Sequence, residues 1–298
     1  MIVSASYRTD IPAFYGAWFM NRLRDGACRV ANPYGGTEYT VSLRAGDVDG
    51  FVFWTKNAAP FAAPLEEIRR RGLPFVVQYT VTGYPTALER SVPPAAQAVE
   101  QVKSLAGTFG GRAVVWRYDP IVDSDVTPYA WHPGNFAALA HALRGSVDEV
   151  VISFAHIYRK TARNLAQAAV SHGFGWRDPQ AAEKIALVRH LSGIAADNGM
   201  RLTICAQPSL TVDGLPGARC IDAARLSDVA GRPVPARQKG NRPGCLCAES
   251  RDIGAYDTCP MGCVYCYAVA SRGAARRRRE AHDPGEPCLM RRGRGATP

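Results

Sequence analysis

Three cysteines, Cys259, Cys263 and Cys266, stand in the run DTCPMGCVYCYA at CxxxCxxC spacing. Thiolates so spaced can bind three irons of a 4Fe–4S cube and leave the fourth iron without a protein ligand. Gly262 lets the backbone turn closely around such a cluster, and Tyr265 supplies an aromatic wall beside the third cysteine. The three-residue gap separates this motif from an ordinary zinc CxxC pair; zinc and inert thiols remain the alternatives. Four further cysteines, Cys205, Cys220, Cys245 and Cys247, could hold a second 4Fe–4S cluster or one zinc ion. Against this, Cys205 and Cys220 could be small buried hydrophobes, as free cysteines often are. Cys28 and Cys288 read as incidental.

A second set of chemically able residues follows short apolar runs. Ser6, Arg8 and Asp10 come after the first run, and Lys56 and Asn57 after the second. Gln78 and Thr80 close the third, Arg117 and Asp119 the fourth, and Ser153 and His156 the fifth. The runs predict strands over Ile2–Ser6, Gly50–Trp54, Phe75–Thr80, Ala113–Arg117, Glu149–Phe154 and Arg201–Ala206. Amphipathic patterns predict helices over Pro12–Arg24, Pro64–Arg71, Pro94–Ala106, Gly134–Leu143, Tyr158–His172 and Pro179–Asn198. Continuous apolar strands alternating with such helices give βα units around a parallel sheet. The expected fold is α/β, a parallel (β/α) barrel-like form, incomplete or permuted, with a C-terminal cysteine-rich cluster segment. An open doubly wound sheet is the alternative. In a barrel the strand ends share one face, so the polar residues would converge there; Arg117 with Asp119 could equally be a structural ion pair. The six histidines show no ligand spacing, and His132 and His156 read as structural.

Composition narrows the class. Of 298 residues 47% are hydrophobic and 21% charged, which excludes wholesale disorder. Apolar runs are too short to cross a bilayer, and MIVSASYRTD lacks the basic and apolar regions of a signal peptide, so a cytoplasmic protein is expected. Clustered cysteines in a reducing compartment point to metal or redox chemistry rather than disulfides. The domains expected are a barrel-like body over 1–230, a connector and iron–sulfur segment over 231–270, and an arginine-rich tail over 271–298. The tail carries eight arginines against three acids, half of the net +10, and lacks a periodic apolar face, so it is expected to be mobile. It could bind nucleic acid; a solvated extension is the favoured reading.

The CxxxCxxC motif with its aromatic resembles the signature of radical S-adenosylmethionine (SAM) enzymes. That resemblance implies that the open iron chelates the amino and carboxylate groups of SAM, and that an electron donor drives cleavage to a 5′-deoxyadenosyl radical. Such enzymes usually carry the motif after the first barrel strand, whereas here it lies near the C-terminus. Gly35-Gly36-Thr37-Glu38 resembles the Gly-Gly-Glu element that contacts the SAM amino group, but its turn-like setting sets it aside. Beyond the motif, SASYRTDIPAFYGAWFMNRL, FVFWTKN, VVWRYDPI, VISF and CLCAESRDIGAYDTCPMGCVYCYA resemble the prokaryotic family known as domain of unknown function 1848, over residues 2–268. That family implies a barrel-like domain followed by a radical-SAM-like cysteine segment, and no particular reaction. Met261 and Val269 depart from its pattern, where histidine and a polar residue are expected.

The leading expectation is an iron–sulfur enzyme using SAM on a small-molecule or peptide substrate. Arg8, Asp10, Lys56, Arg117 and Asp119 are the candidate catalytic groups, and Ser6, Asn57, Gln78 and Tyr265 the cofactor-binding ones. Arg8, Lys56 or Arg117 could pair with a carboxylate or phosphate, and Asp10 or Asp119 with ribose hydroxyls or an ammonium group. The competing classes are a nucleic-acid-binding protein with a structural zinc or iron–sulfur module, and a redox sensor.

Overall fold

The computed structural model describes residues 1–290 apart from Pro33, Tyr34, Gly36 and Asp213. Within these the strands are β1 (Ile2–Ser4), β2 (Ala27–Val30), β3 (Tyr39–Ser42), β4 (Gly50–Thr55), β5 (Phe75–Thr80), β6 (Val114–Ile121), β7 (Asp123–Ser124), β8 (Glu149–Phe154), β9 (Trp176–Arg177), β10 (Arg201–Ile204) and β11 (Ser250–Asp252). Seven form one parallel sheet in the order β10-β8-β6-β5-β4-β1-β11. Each strand from β1 to β10 thus lies beside its predecessor in this sheet, as in a barrel; a doubly wound sheet would reverse direction midway. β11 returns to the other side of β1, the place a last barrel strand would take. Among the described residues β10 and β11 do not pair, so strand pairing leaves the barrel open. Pro216–Ile221 partly spans the gap: Ile204 N donates to Pro216 O (3.2 Å), Ala218 N to Ile204 O (2.8 Å), and Ala248 N to Ile221 O (2.9 Å).

Alternate strand residues face opposite ways, and both faces are covered, which explains the near-continuous apolar runs. Val3, Phe51, Phe53, Val77, Trp116 and Ile152 pack outward against helical residues such as Phe19, Leu65, Phe136 and Leu191. Ile2, Val52, Val76, Val115 and Val151 form an inner layer. Two residues further along the same face the interior turns polar, at Ser4, Gln78, Arg117 and Ser153. The start of the sheet is sealed by fully buried Arg225, which donates to Asp148 Oδ1 (2.8 Å) and Glu149 Oε2 (2.7 Å).

The six expected strands and six expected helical regions all form, with shifted ends. The first helix is interrupted at Tyr15, giving Ile11–Phe14 and Gly16–Asp25. Over 271–290 the arginine-rich segment carries regular structure. A helix forms at Arg272–Glu280 with Ala275 buried. Beyond it, Trp18 Nε1, Asn21 Nδ2 and Arg22 Nη2 donate to the carbonyls of Glu286 (2.9 Å), Pro284 (3.0 Å) and Gly285 (3.0 Å), and Leu289 joins the core. Residues 291–298 lie outside the described residues. Among the described residues no helix is long and apolar enough to cross a membrane.

Candidate functional site

The cysteine loop lies over the C-terminal ends of the first strands of the sheet. Leu88–Ser91, after β5, holds it: Val264 N donates to Leu88 O (3.0 Å) and Ser91 N to Met261 O (3.0 Å). Tyr15 Oη donates to Thr258 O (2.7 Å) from the other side. Gly262 has φ +84°, a left-handed conformation that favours glycine. Cys266 N closes a turn onto Cys263 O (3.2 Å). Cys259, Cys263 and Cys266 are each partly exposed. Burial pushes the Cys259 thiol well up, and Asp10, Cys266 and Cys263 add to that, so these groups share one neighbourhood. Cys263 is likewise raised by burial and lowered in part by Lys56.

Lys56 Nζ donates to Glu89 Oε1 (2.8 Å), and the same oxygen accepts from Thr82 Oγ1 (2.6 Å) and from Tyr265 Oη. Burial pulls the Lys56 ammonium down, but Glu89 and Cys263 more than offset it. Tyr265, expected to wall a cluster, is buried with its hydroxyl tied to Glu89. Asp10 caps the helix Ile11–Phe14, accepting from Ala13 N (2.9 Å) and, through Oδ2, from Lys56 N (2.9 Å). Burial raises its carboxyl to about 6 despite those donors. Asn57 serves its own turn, accepting from Ala59 N (3.3 Å).

A second polar group centres on Asp252 of β11, which the sequence reading missed. Its carboxylate accepts from Ser4 Oγ (2.6 Å), Ser6 Oγ (2.8 Å) and Tyr7 N (3.1 Å), and Arg8 Nε stands 3.6 Å away. The Arg8 guanidinium also lies 5.4 Å from the Tyr7 ring centre and 5.5 Å from that of Tyr256. Glu89 was missed as well. It sits in a loop without a motif, and β11 reads Ser-Arg-Asp, with no apolar alternation to mark a strand.

The third group lies across the sheet interior. Arg117 pairs with Asp119 (2.7 Å), donates to Gln78 Oε1 (3.1 Å), and approaches Cys220 Sγ (3.0 Å). Ser153 Oγ completes the Asp119 carboxylate. Burial would raise Asp119; Arg117 and Ser153 outweigh it, holding the carboxyl below its ordinary value. His156 is exposed, and His132 is buried against Tyr118 Oη (2.9 Å). Of the set-aside glycine motif, Gly36 lies outside the described residues, and Glu38 pairs with Arg29 (2.9 Å). An open depression of about 560 Å³, lined by Arg112, Arg144, Asp148 and Asn198, lies where the strands begin, away from the cysteines.

Cys205, Cys220, Cys245 and Cys247 form a separate group. The sulfurs of Cys205 and Cys220 are 3.5 Å apart. Cys247 lies in the same buried cluster as these two, with Cys245 packed against it. Cys28 and Cys288 are buried apart from both cysteine groups, beside the β2 strand and the C-terminal segment. Among the described residues no three or more His, Cys, Asp or Glu side chains already close around a single metal-sized point.

Comparison with curated proteins and with solved structures finds no match. A family model described as "Domain of unknown function (DUF1848)" matches residues 2–268, which takes in β1 through β11, the polar strand ends and both cysteine groups. The chain therefore belongs to the DUF1848 family.

Proposed function

We propose that this protein is an iron–sulfur enzyme of radical-SAM type, with Cys259, Cys263 and Cys266 as the cluster ligands. The observation that carries the reading is the loop itself: three thiols in one partly exposed turn, above strand ends lined with buried charged groups. The donor set suits a cube with one iron unligated by protein. Gly262 supplies the left-handed turn, φ +84°, that folds the loop back between Cys259 and Cys263. When bound, such a cluster supplies a site for the SAM amino and carboxylate groups and, given one electron from a donor, a 5′-deoxyadenosyl radical.

The chain's own residues would divide the remaining work. Lys56, ion-paired with Glu89, holds an ammonium beside Cys263 while the pair adds no net charge to the site. Asp10 links the start of the first helix to Lys56 and so positions that lysine. Arg8, stacked between two tyrosines and held by Asp252, is suited to a carboxylate. Ser6 orients Asp252, while Gln78 and Asp119 fix the Arg117 fork. The nucleic-acid reading loses ground because arginines of the C-terminal helix are engaged at home: Arg278 reaches the Tyr256 carbonyl (3.4 Å), and Arg279 lies 5.4 Å from the Tyr15 ring centre.

Anaerobic purification with iron and sulfide analysis tests the reading. The electron paramagnetic resonance signal of the reduced protein should change on adding SAM, and 5′-deoxyadenosine should form. Cys263→Ala should abolish both. An iron-loaded protein whose spectrum ignores SAM would overturn the radical-SAM assignment and favour a redox module.

A further inference from the structure

We propose that Cys205, Cys220, Cys245 and Cys247 form a tetrathiolate site for one zinc ion, which stitches the open seam of the sheet between β10 and β11. The proposal is independent of the chemistry assigned to Cys259, Cys263 and Cys266.

Spacing selects a single ion over a cube. A tetrahedral ion with Zn–S bonds of about 2.3 Å sets its sulfurs about 3.8 Å apart. Cys205 and Cys220 are 3.5 Å apart, and Cys247 and Cys245 pack in the same cluster beside them. Cysteines on separate irons of a cube would stand about 6 Å or more from each other. The ion gathers these sulfurs into a tetrahedron by side-chain rotation, and the remaining thiol protons pass to solvent as it binds.

Cationic and N–H donors reach the sulfurs within this otherwise apolar layer. Arg117 Nη1 approaches Cys220 Sγ at 3.0 Å, Arg242 Nη2 approaches Cys205 Sγ at 3.5 Å, and Ile221 N donates to Cys247 Sγ at 3.4 Å. Four thiolates around a divalent cation carry a net −2, and two guanidinium groups beside the sulfurs offset it.

The ligands also come from the right places. Cys205 directly follows β10, and Cys220 lies on the segment that bonds to β10. Cys245 and Cys247 sit on the turn leading to β11, where Ala248 N bonds Ile221 O. Backbone pairing is weakest at this gap, and an ion would join all three segments across it.

Zinc analysis of the purified full-length chain is the test. About one zinc per chain should resist dialysis, and Cys220→Ser and Cys247→Ser should lower it at least tenfold. Cys263→Ser should leave the zinc in place, which separates this site from the loop cysteines. If the buried variants do not fold, Cys245→Ser on the partly exposed turn serves instead. It should release zinc to a chromogenic chelator at least tenfold faster with an unchanged circular dichroism spectrum. Cobalt(II) loaded in place of zinc should show thiolate charge-transfer bands that Cys245→Ser weakens. A wild-type chain that takes neither metal would overturn the proposal, as would one that retains zinc in Cys220→Ser. Iron with sulfide retained by these four cysteines, or a Cys205–Cys220 disulfide found by thiol counting, would overturn it too.

Discussion

At the residue scale, the site is built from charges that are buried and paired rather than poised alone. Glu89 is nearly inaccessible, and one of its oxygens meets Lys56, Thr82 and Tyr265 together. Removing one partner of such a pair leaves the other charge desolvated, at a cost of about 3–5 kcal/mol. Glu89→Ala should therefore lower the free energy of unfolding by about that amount in denaturant titration. Lys56→Met combined with Glu89→Gln removes both charges, keeps an acceptor for Thr82 and Tyr265, and should recover most of the loss. If the double variant is as unstable as Glu89→Ala, the cost comes from packing and not from the stranded charge. Lys56 was legible in the sequence because it follows an apolar strand. Glu89 was not, because its role exists only once Leu88–Ser91 pairs with the cysteine loop, and local sequence holds no trace of that pairing.

At the element scale, the C-terminal segment shows where composition misleads. Arg272–Glu280 has no apolar stripe, since only Ala275 is buried, and its charge run looks like a solvated extension. What fixes it is backbone and context. Ser271 accepts from Ala274 N (3.4 Å) as a helix cap, and the carbonyls of residues 284–286 satisfy donors on Asn21, Arg22 and Trp18. Leu289 then inserts into the core. Truncation after residue 290, which keeps every described element, is the reference. Truncation after 270 should lower the melting temperature by several degrees or more, because it exposes Trp18 and deletes Leu289. Leu289→Ala alone should cost about 2–4 kcal/mol. Equal melting temperatures for the two truncations would mean that the segment contributes nothing to stability. The parallel strands β1 to β10 of the main sheet were readable in place, though β6 runs four residues past its expected end, because parallel strands covered on both faces are apolar over most of their length.

At the scale of the whole molecule, the question is whether the cysteine-rich segment is a module on a finished sheet or part of the sheet. A division at residue 230 follows the Pro- and Gly-rich connector, and sequence offers no better boundary. The sheet crosses it. β11 pairs with β1 along Ile2–Ser250, Val3–Arg251 and Ser4–Asp252, and Asp252 receives the hydroxyls of Ser4 and Ser6 while facing Arg8. Gly254 packs so tightly on Ser6 that a Cβ would lie 2.0 Å from its Oγ. Cys247 and Ala248 belong to the same inner layer as Ile2, Val52 and Val151. Residues 1–230 expressed alone would thus expose the edge of β1, open the inner layer and strand Arg8 without its carboxylate. An unpaired, apolar parallel edge is also a template for aggregation. The fragment should lack a cooperative unfolding transition and bind a hydrophobic dye, whereas residues 1–290 should unfold in one transition whose midpoint agrees between fluorescence and circular dichroism. A fragment that melts cooperatively near the temperature of the full chain would show that the sheet is complete without β11, and that the cysteine segment is an appendage to it.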